Sequence, residues 1–111
     1  MLREFHERYD LPLYVTENGA AFTDPAPDSD GLIADWERLG YLQSHFDAAH
    51  RALSEGVDLR GYFVWSLLDN FEWGFGYTKR FGIVACDVAT QERRLKQSAL
   101  WYQQVIANNG I

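Results

Sequence analysis

Apolar positions change their spacing several times along the chain, and each change predicts a new element. Leu2, Phe5, His6 and Tyr9 recur at helical spacing and stop before Asp10-Leu11-Pro12, so the first residues read as the last turns of a helix. Leu11 to Glu17 is then a short, almost unbroken apolar run halted by Asn18-Gly19. This is the pattern of a parallel strand covered on both faces, with Pro12 tolerated only at its first positions. Residues 20 to 34 hold three Asp, two Pro and a Gly and read as a long polar loop. Asp35 stands where a helix N-cap is expected. After it Leu39, Leu42, Phe46, Ala49 and Leu53 follow at spacings of three and four until Gly56. A second apolar strand runs from Gly61 to Leu68 and ends at Asp69-Asn70. Ile83 to Val88 is rich in β-formers and predicts a small hairpin with the residues around Arg93. Ser98, Trp101, Tyr102, Val105 and Ile106 mark a last helix, closed by Asn108-Asn109-Gly110.

The order is βαβα after an initial helix end, with two parallel strands. Two strands alone keep unpaired edges and give the helices too little sheet to cover, so the pattern predicts an α/β unit that is incomplete as a domain. A slice through a (β/α)8 barrel would look like this. In that fold chemistry sits at the C-terminal ends of strands, and both polar clusters, Glu17-Asn18 and Asp69 to Glu72, follow strand ends. There is no internal repeat and no low-complexity tract.

Composition narrows the partners. With 111 residues, 47% hydrophobic and 23% charged, the chain reads as one soluble globular unit. Its formal charge of −6 repels a phosphate backbone, and Arg93-Arg94-Leu95-Lys96 is its densest basic run, which argues against nucleic acid and leaves uncharged sugars open. No apolar run approaches the roughly 20 residues of a membrane span, and the charged amphipathic start does not read as a signal peptide. The expectation is therefore no membrane partner and a cytoplasmic location. The single cysteine, Cys86, excludes an internal disulfide and is expected as a small buried hydrophobe. His6, His45 and His50 lack ligand spacing and read as surface histidines. Asp24, Asp28 and Asp30 resemble a calcium loop only loosely and read as a solvated loop. No metal or cofactor is expected.

The aromatic content, 15%, is concentrated in Trp65, Phe71, Trp73, Phe75, Tyr77 and Phe81, interleaved with Asp69, Asn70, Glu72, Lys79 and Arg80. That mixture suits a wet cleft better than a dry core. Sugars ask for it, because their C–H faces stack on rings while their hydroxyls need fixed hydrogen-bond partners. Two carboxylates stand out. Glu17, at a strand end, could attack an anomeric carbon if it stays ionised. Glu72, between Phe71 and Trp73, could be a proton donor of raised pKa or a bidentate acceptor for sugar hydroxyls, and the residues alone leave both open.

Three runs carry a resemblance: Leu11 to Gly19 (LPLYVTENG), Gly61 to Trp73 (GYFVWSLLDNFEW) and Gly76 to Val84 (GYTKRFGIV). In order and spacing they resemble the C-terminal part of glycoside hydrolase family 1, the β-glucosidase and β-galactosidase family built on a (β/α)8 barrel. The resemblance implies that residues 1–111 are the C-terminal quarter of one barrel domain, its strands seven and eight with their helices. It also implies that Glu17 is the nucleophile of a retaining, double-displacement reaction. Trp65 would be the platform under the nonreducing sugar, and Glu72 a ligand of the O4 and O6 hydroxyls. Trp73 would donate its indole N–H toward O3, and Phe81 would wall the same subsite. Family members acting on 6-phosphosugars carry a small hydroxyl residue in place of Glu72 and a Tyr in place of Phe81, so the implied substrate is a neutral β-linked hexoside. A cis peptide at Trp65-Ser66 is a further family trait. The sequence departs from the pattern at Cys86-Asp87-Val88, where Val-Asp-Tyr is common, and at Leu95, where Pro is common; both lie beyond the sugar subsite.

The family's general acid/base, a Glu in a Thr-x-Asn-Glu-Pro motif, has no counterpart in this sequence, and a nucleophile without its acid cannot readily protonate the leaving group. The implied partner is the N-terminal part of the barrel. Two other classes compete: a noncatalytic sugar-binding module and a complementing fragment. The purified chain alone is predicted to show little or no hydrolysis of aryl β-glucosides, and robust Glu17-dependent turnover by it would refute this.

Overall fold

The computed structural model describes residues 1–111. Helix α1, Leu2–Tyr9, ends where Asp10 turns left-handed and returns its N–H to the His6 carbonyl. Strand β1, Leu13–Asn18, pairs in parallel with β2, Leu59–Val64, and the connection between them carries helix α2, Trp36–Ser54. The register joins Leu13 to Leu59, Tyr14 to Gly61, Val15 to Tyr62 and Asn18 to Val64, with irregularities before Tyr14 and before Asn18. Beyond β2 come a short 3-10 turn, Trp73–Phe75, the antiparallel hairpin β3, Val84–Cys86, with β4, Arg93–Leu95, and helix α3, Gln97–Asn108. Asn109, left-handed, ends α3 as the Asn-Asn-Gly signal predicts. No helix is long and apolar enough to cross a membrane.

The core lies between the helices and one face of the β1–β2 sheet. Leu39, Leu42, Phe46 and Ala49 of α2 are buried, and the Phe46 ring sits 4.3 Å from that of Tyr62 on β2 and 5.3 Å from Trp101 on α3. Leu53, expected on the same stripe, is 46% exposed and lines an open recess with Leu59 and Tyr62 of β2 and Val105 of α3. Tyr14 and Phe63 alternate to the other face and are exposed, so the strands expected to be covered on both faces are covered on one. The second strand is also shorter than the apolar run Gly61 to Leu68. It stops at Val64, and Ser66 to Asp69 bond instead to the segment from Phe81 to Val84. Cys86, expected to be buried, is half-buried at the end of β3. In the hairpin turn the backbone N–H of Thr90, its hydroxyl and the N–H of Ala89 all donate to Asp87, and these bonds hold its carboxyl below the usual range.

A buried ion cluster ties the irregular segments to the helices. Lys96 is fully buried, and its Nζ reaches Asp24 at 2.7 Å and Asp69 at 3.0 Å. Arg38, also buried, reaches Asp24 at 2.7 Å and Asp35 at 2.6 Å and donates to the Arg80 carbonyl at 2.7 Å. Asp24 therefore departs from the solvated-loop reading; its side chain is only 12% exposed. Asp28 keeps to that reading and caps its own loop by accepting the N–H groups of Asp30 and Leu32. Asp35 occupies the N-cap position of α2 but makes no capping bond there. Its carboxylate accepts the N–H and the hydroxyl of Ser98 at 2.9 and 2.6 Å, so it satisfies the first turn of α3 instead.

Removing one partner of such a cluster leaves the others charged and dry. Lys96→Met is predicted to cost about 3–5 kcal/mol, the range for breaking a buried pair from one side. The check is the urea unfolding midpoint of the variant against the parent, and a loss below about 1 kcal/mol would mean that the cluster is solvated after all.

Candidate active site

Glu17 lies one residue from the end of β1, exposed, and no group of the chain donates a hydrogen bond to its carboxylate. It lines a shallow recess of about 220 Å3 with Asn18, Gly19 and Trp65. Backbone bonds set this arrangement. The Trp65 N–H donates to the Asn18 carbonyl at 2.9 Å, so the residue after β2 meets the last residue of β1. The chain then passes to a third segment: Ser66 donates its N–H to the Phe81 carbonyl at 3.2 Å and accepts that of Ile83 at 2.9 Å. The Trp65-Ser66 peptide is cis, as the family pattern implies.

Two glycines make these close approaches feasible. A Cβ on Gly19 would stand 1.7 Å from the Trp65 carbonyl oxygen, and one on Gly82 would stand 2.2 Å from the Asp69 nitrogen. Any side chain at Gly19 would push Trp65 away from the end of β1.

The structure brings Glu17 and Trp65 into one recess and ties Phe81 to them through Ser66. Glu72 and Trp73 do not line that recess. They sit at the start of the 3-10 turn, where the Glu72 N–H bonds the Gly76 carbonyl and Trp73 takes a positive φ of 42° with 82% of its surface exposed. The aromatic run is indeed not core: Phe71, Phe75 and Tyr77 are exposed as well, and Lys79 lies 5.2 Å from the Phe75 ring centroid. Asp69, however, leaves the wet-cleft reading. It is buried and accepts the Gly82 N–H at 2.9 Å besides its bonds to Lys96, which makes it the post that holds the Phe81 segment. No three His, Cys, Asp or Glu side chains are grouped as a metal ion would need.

Sequence reasoning missed the surroundings of Asn18. Its side-chain amide is engaged at both ends, donating to the Tyr41 hydroxyl at 3.3 Å and accepting from the Tyr62 hydroxyl at 2.8 Å. Burial pushes the Tyr62 phenol up from 10.0 to about 12, helped by Tyr41 and Tyr102, and burial likewise raises Tyr102.

With this geometry in view, comparison with known proteins defines the class. The sequence matches the model of glycosyl hydrolase family 1 over residues 1–111, and the chain belongs to that family. It is 53% identical to β-glucosidase A of Thermotoga maritima, an alignment that takes in 100% of this chain and 25% of the relative. It is 52% identical to β-glucosidase A of Acetivibrio thermocellus, over 89% of this chain and 22% of that one. The solved family 1 β-glucosidase from Thermotoga maritima in complex with isofagomine lactam superposes with a TM-score of 0.94 at 52% identity, covering 99% of this chain and 25% of that one. The chain therefore spans about a quarter of the length of the relatives it matches and is a partial α/β unit of a (β/α)8-barrel family.

The Tyr62 phenol gives a pH prediction. Its folded pKa lies above the unfolded value, so its contribution to stability is fully present below pH 10.0 and is lost as pH rises to about 12. Urea midpoints measured from pH 9 upward are expected to fall over that window, and Tyr62→Phe to flatten the fall. A variant as steep as the parent would assign the loss elsewhere.

Proposed function

We propose that this chain is the C-terminal quarter of a retaining β-glycosidase barrel, with β1 and β2 as its seventh and eighth strands and Glu17 as the nucleophile. The observation that carries the reading is the recess at the ends of two adjacent parallel strands, where Glu17 and Trp65 face the same space. That is where barrel enzymes keep their chemistry. An indole beside a carboxylate is the pairing a pyranose needs, one to stack on its C–H face and one to reach its anomeric carbon.

In the first step a Glu17 oxygen bonds to C1 as the bond from C1 to the aglycone oxygen breaks. The bonding pair leaves with that oxygen, which takes a proton from a carboxylic acid on the remainder of the barrel. In the second step water, losing a proton to the same group, displaces Glu17 and restores the β configuration. Phe81 adds a wall to the sugar subsite. Glu72 and Trp73, on their exposed turn, close over the sugar from the side and bind its O3, O4 and O6 hydroxyls. The Glu72 carboxylate disfavours a 6-phosphate, so the substrate is a neutral β-hexoside. Solved complexes of the Thermotoga maritima β-glucosidase hold isofagomine lactam, deoxynojirimycin and noeuromycin.

A chimera tests this: the chain replaces the matching quarter of the Thermotoga maritima enzyme, and hydrolysis of an aryl β-glucoside is followed. The parent chimera is expected to be active and to release the β-anomer first, as read by proton NMR. Glu17→Gln is expected to lower kcat about 10³-fold or more, the scale seen when a covalent nucleophile is removed. A Glu17→Gln chimera within tenfold of its parent would sink the assignment.

A further inference from the structure

Glu17 has no hydrogen-bond partner in the chain, so its placement comes through its backbone, and the next residue holds that backbone. Three polar groups of Asn18 are engaged at this point. Its Nδ2 donates to the hydroxyl of Tyr41 on α2 at 3.3 Å, and its Oδ1 accepts from the hydroxyl of Tyr62 on β2 at 2.8 Å. Its carbonyl accepts the Trp65 N–H at 2.9 Å. Both tyrosines are themselves fixed. The Tyr41 ring stacks on His45 at 4.0 Å, with His45 Nδ1 2.8 Å from the Tyr41 carbonyl, and the Tyr62 ring lies 4.3 Å from Phe46 in the core. One residue thus joins the end of β1 to the neighbouring strand and the crossover helix through its side-chain amide, and to the Trp65 backbone through its carbonyl.

We propose that Asn18, clamped between Tyr41 and Tyr62, is a positioning residue that fixes the Glu17 carboxylate relative to Trp65 for attack on the sugar. The proposal rests on the reading of Glu17 as the nucleophile and goes beyond it by naming what aims that group. A neutral amide suits the task. It engages a donor on one side and an acceptor on the other, whereas an Asp would offer only acceptors and add a second negative charge beside the first. The Tyr62 phenol, with its raised pKa, remains a donor throughout the neutral range. The other charged or titratable groups lining the cavity beside Glu17 are the amine of Met1, Arg3 of α1, His45 and Arg51 of α2, Glu55 just past its end and Tyr62 of β2. None of them bonds to its carboxylate, so the clamp and the backbone bonds of the strand end, rather than a donor to Glu17 itself, order this site.

The test uses the chimera with Asn18→Ala, Asn18→Asp and Tyr62→Phe, read by kcat, KM and melting temperature. A misplacement of about 1 Å costs on the order of 10²-fold, so Asn18→Ala is expected to lower kcat by about that factor with KM within about fivefold. Tyr62→Phe, which removes one hydroxyl and carries the test if Asn18→Ala fails to fold, is expected to lower kcat about tenfold by the same argument. Asn18→Asp, which loses the donor to the Tyr41 hydroxyl while keeping an acceptor for Tyr62, is expected to lower kcat less than Asn18→Ala does. A purely structural Asn18 would lower the melting temperature while leaving kcat of the folded protein within about threefold; that result overturns the proposal. If Glu17→Gln abolishes turnover while Asn18→Ala and Tyr62→Phe keep parental kcat, only the positioning role falls. If Glu17→Gln is as active as the parent, the nucleophile reading falls and takes this one with it.

Discussion

Lys96 and Arg38 are two cations with almost no water around them, and the irregular parts of the chain are placed by the anions they hold. Asp24 brings in the loop that follows β1, Asp69 the turn that follows β2, and Asp35 the first turn of α3. Apart from Asp35 and Arg38, which are three residues apart at the start of α2, these groups come from separate stretches of sequence, and each would be costly alone in a dry interior. Held together they oblige the loops that leave the C-terminal ends of β1 and β2 to pack on one another. The consequence reaches the recess through Asp69, which accepts the Gly82 N–H, and through Arg38, which bonds the Arg80 carbonyl. Phe81 lies between those two anchors, and its carbonyl receives the Ser66 N–H beside Trp65.

Much of the fold was legible because strands and helices announce themselves by period. The α2 stripe, the β1 run with its Asn-Gly stop and the α3 terminator all fall where the spacing puts them. The ion cluster was not legible, since nothing in the local pattern distinguishes Asp24 from Asp28 in the same polar loop. Only the 72-residue separation closed by Lys96 makes one a buried anion and leaves the other a turn former. Asp35 shows the same limit. Its residue type signals an N-cap, and it does serve a helix N-terminus, but that of α3, 63 residues on. The end of the second strand was overread for a related reason. Apolar character continues to Leu68, while hydrogen bonding changes partner at Ser66, and hydrophobicity does not record which backbone answers.

The recess was partly legible. Glu17, Trp65 and the Phe81 segment are drawn together by contacts that follow from the strand ends, whereas Glu72 and Trp73 sit on a turn that none of those contacts reaches. Gly19 explains why the first group is so tightly specified. The Trp65 carbonyl occupies the space a Cβ would need, so the stop signal after β1 is also the condition for the approach of Trp65. Asn18 was read with Glu17 as a polar strand end. Its side chain instead turns away from solvent and completes a tyrosine pair drawn from α2 and β2.

Position and reactivity are separate requirements, and this chain meets them unequally. Packing and hydrogen bonds specify the backbone around Glu17, while the carboxylate itself stands exposed without a donor. A hydrated carboxylate is a weak nucleophile, because water stabilises its charge and must be displaced before a bond can form. Tyr14 and Phe63, exposed on the uncovered face of the same two strands, show where further sheet would be buried with favourable hydrophobic gain. Covering that face would exclude water from the strand ends and lower the dielectric around Glu17. Oriented donors would then matter more than they do at an open edge. The geometry of Glu17 is thus local to residues 13–19 and 59–66, and the solvation of its carboxylate depends on the surface that closes over them.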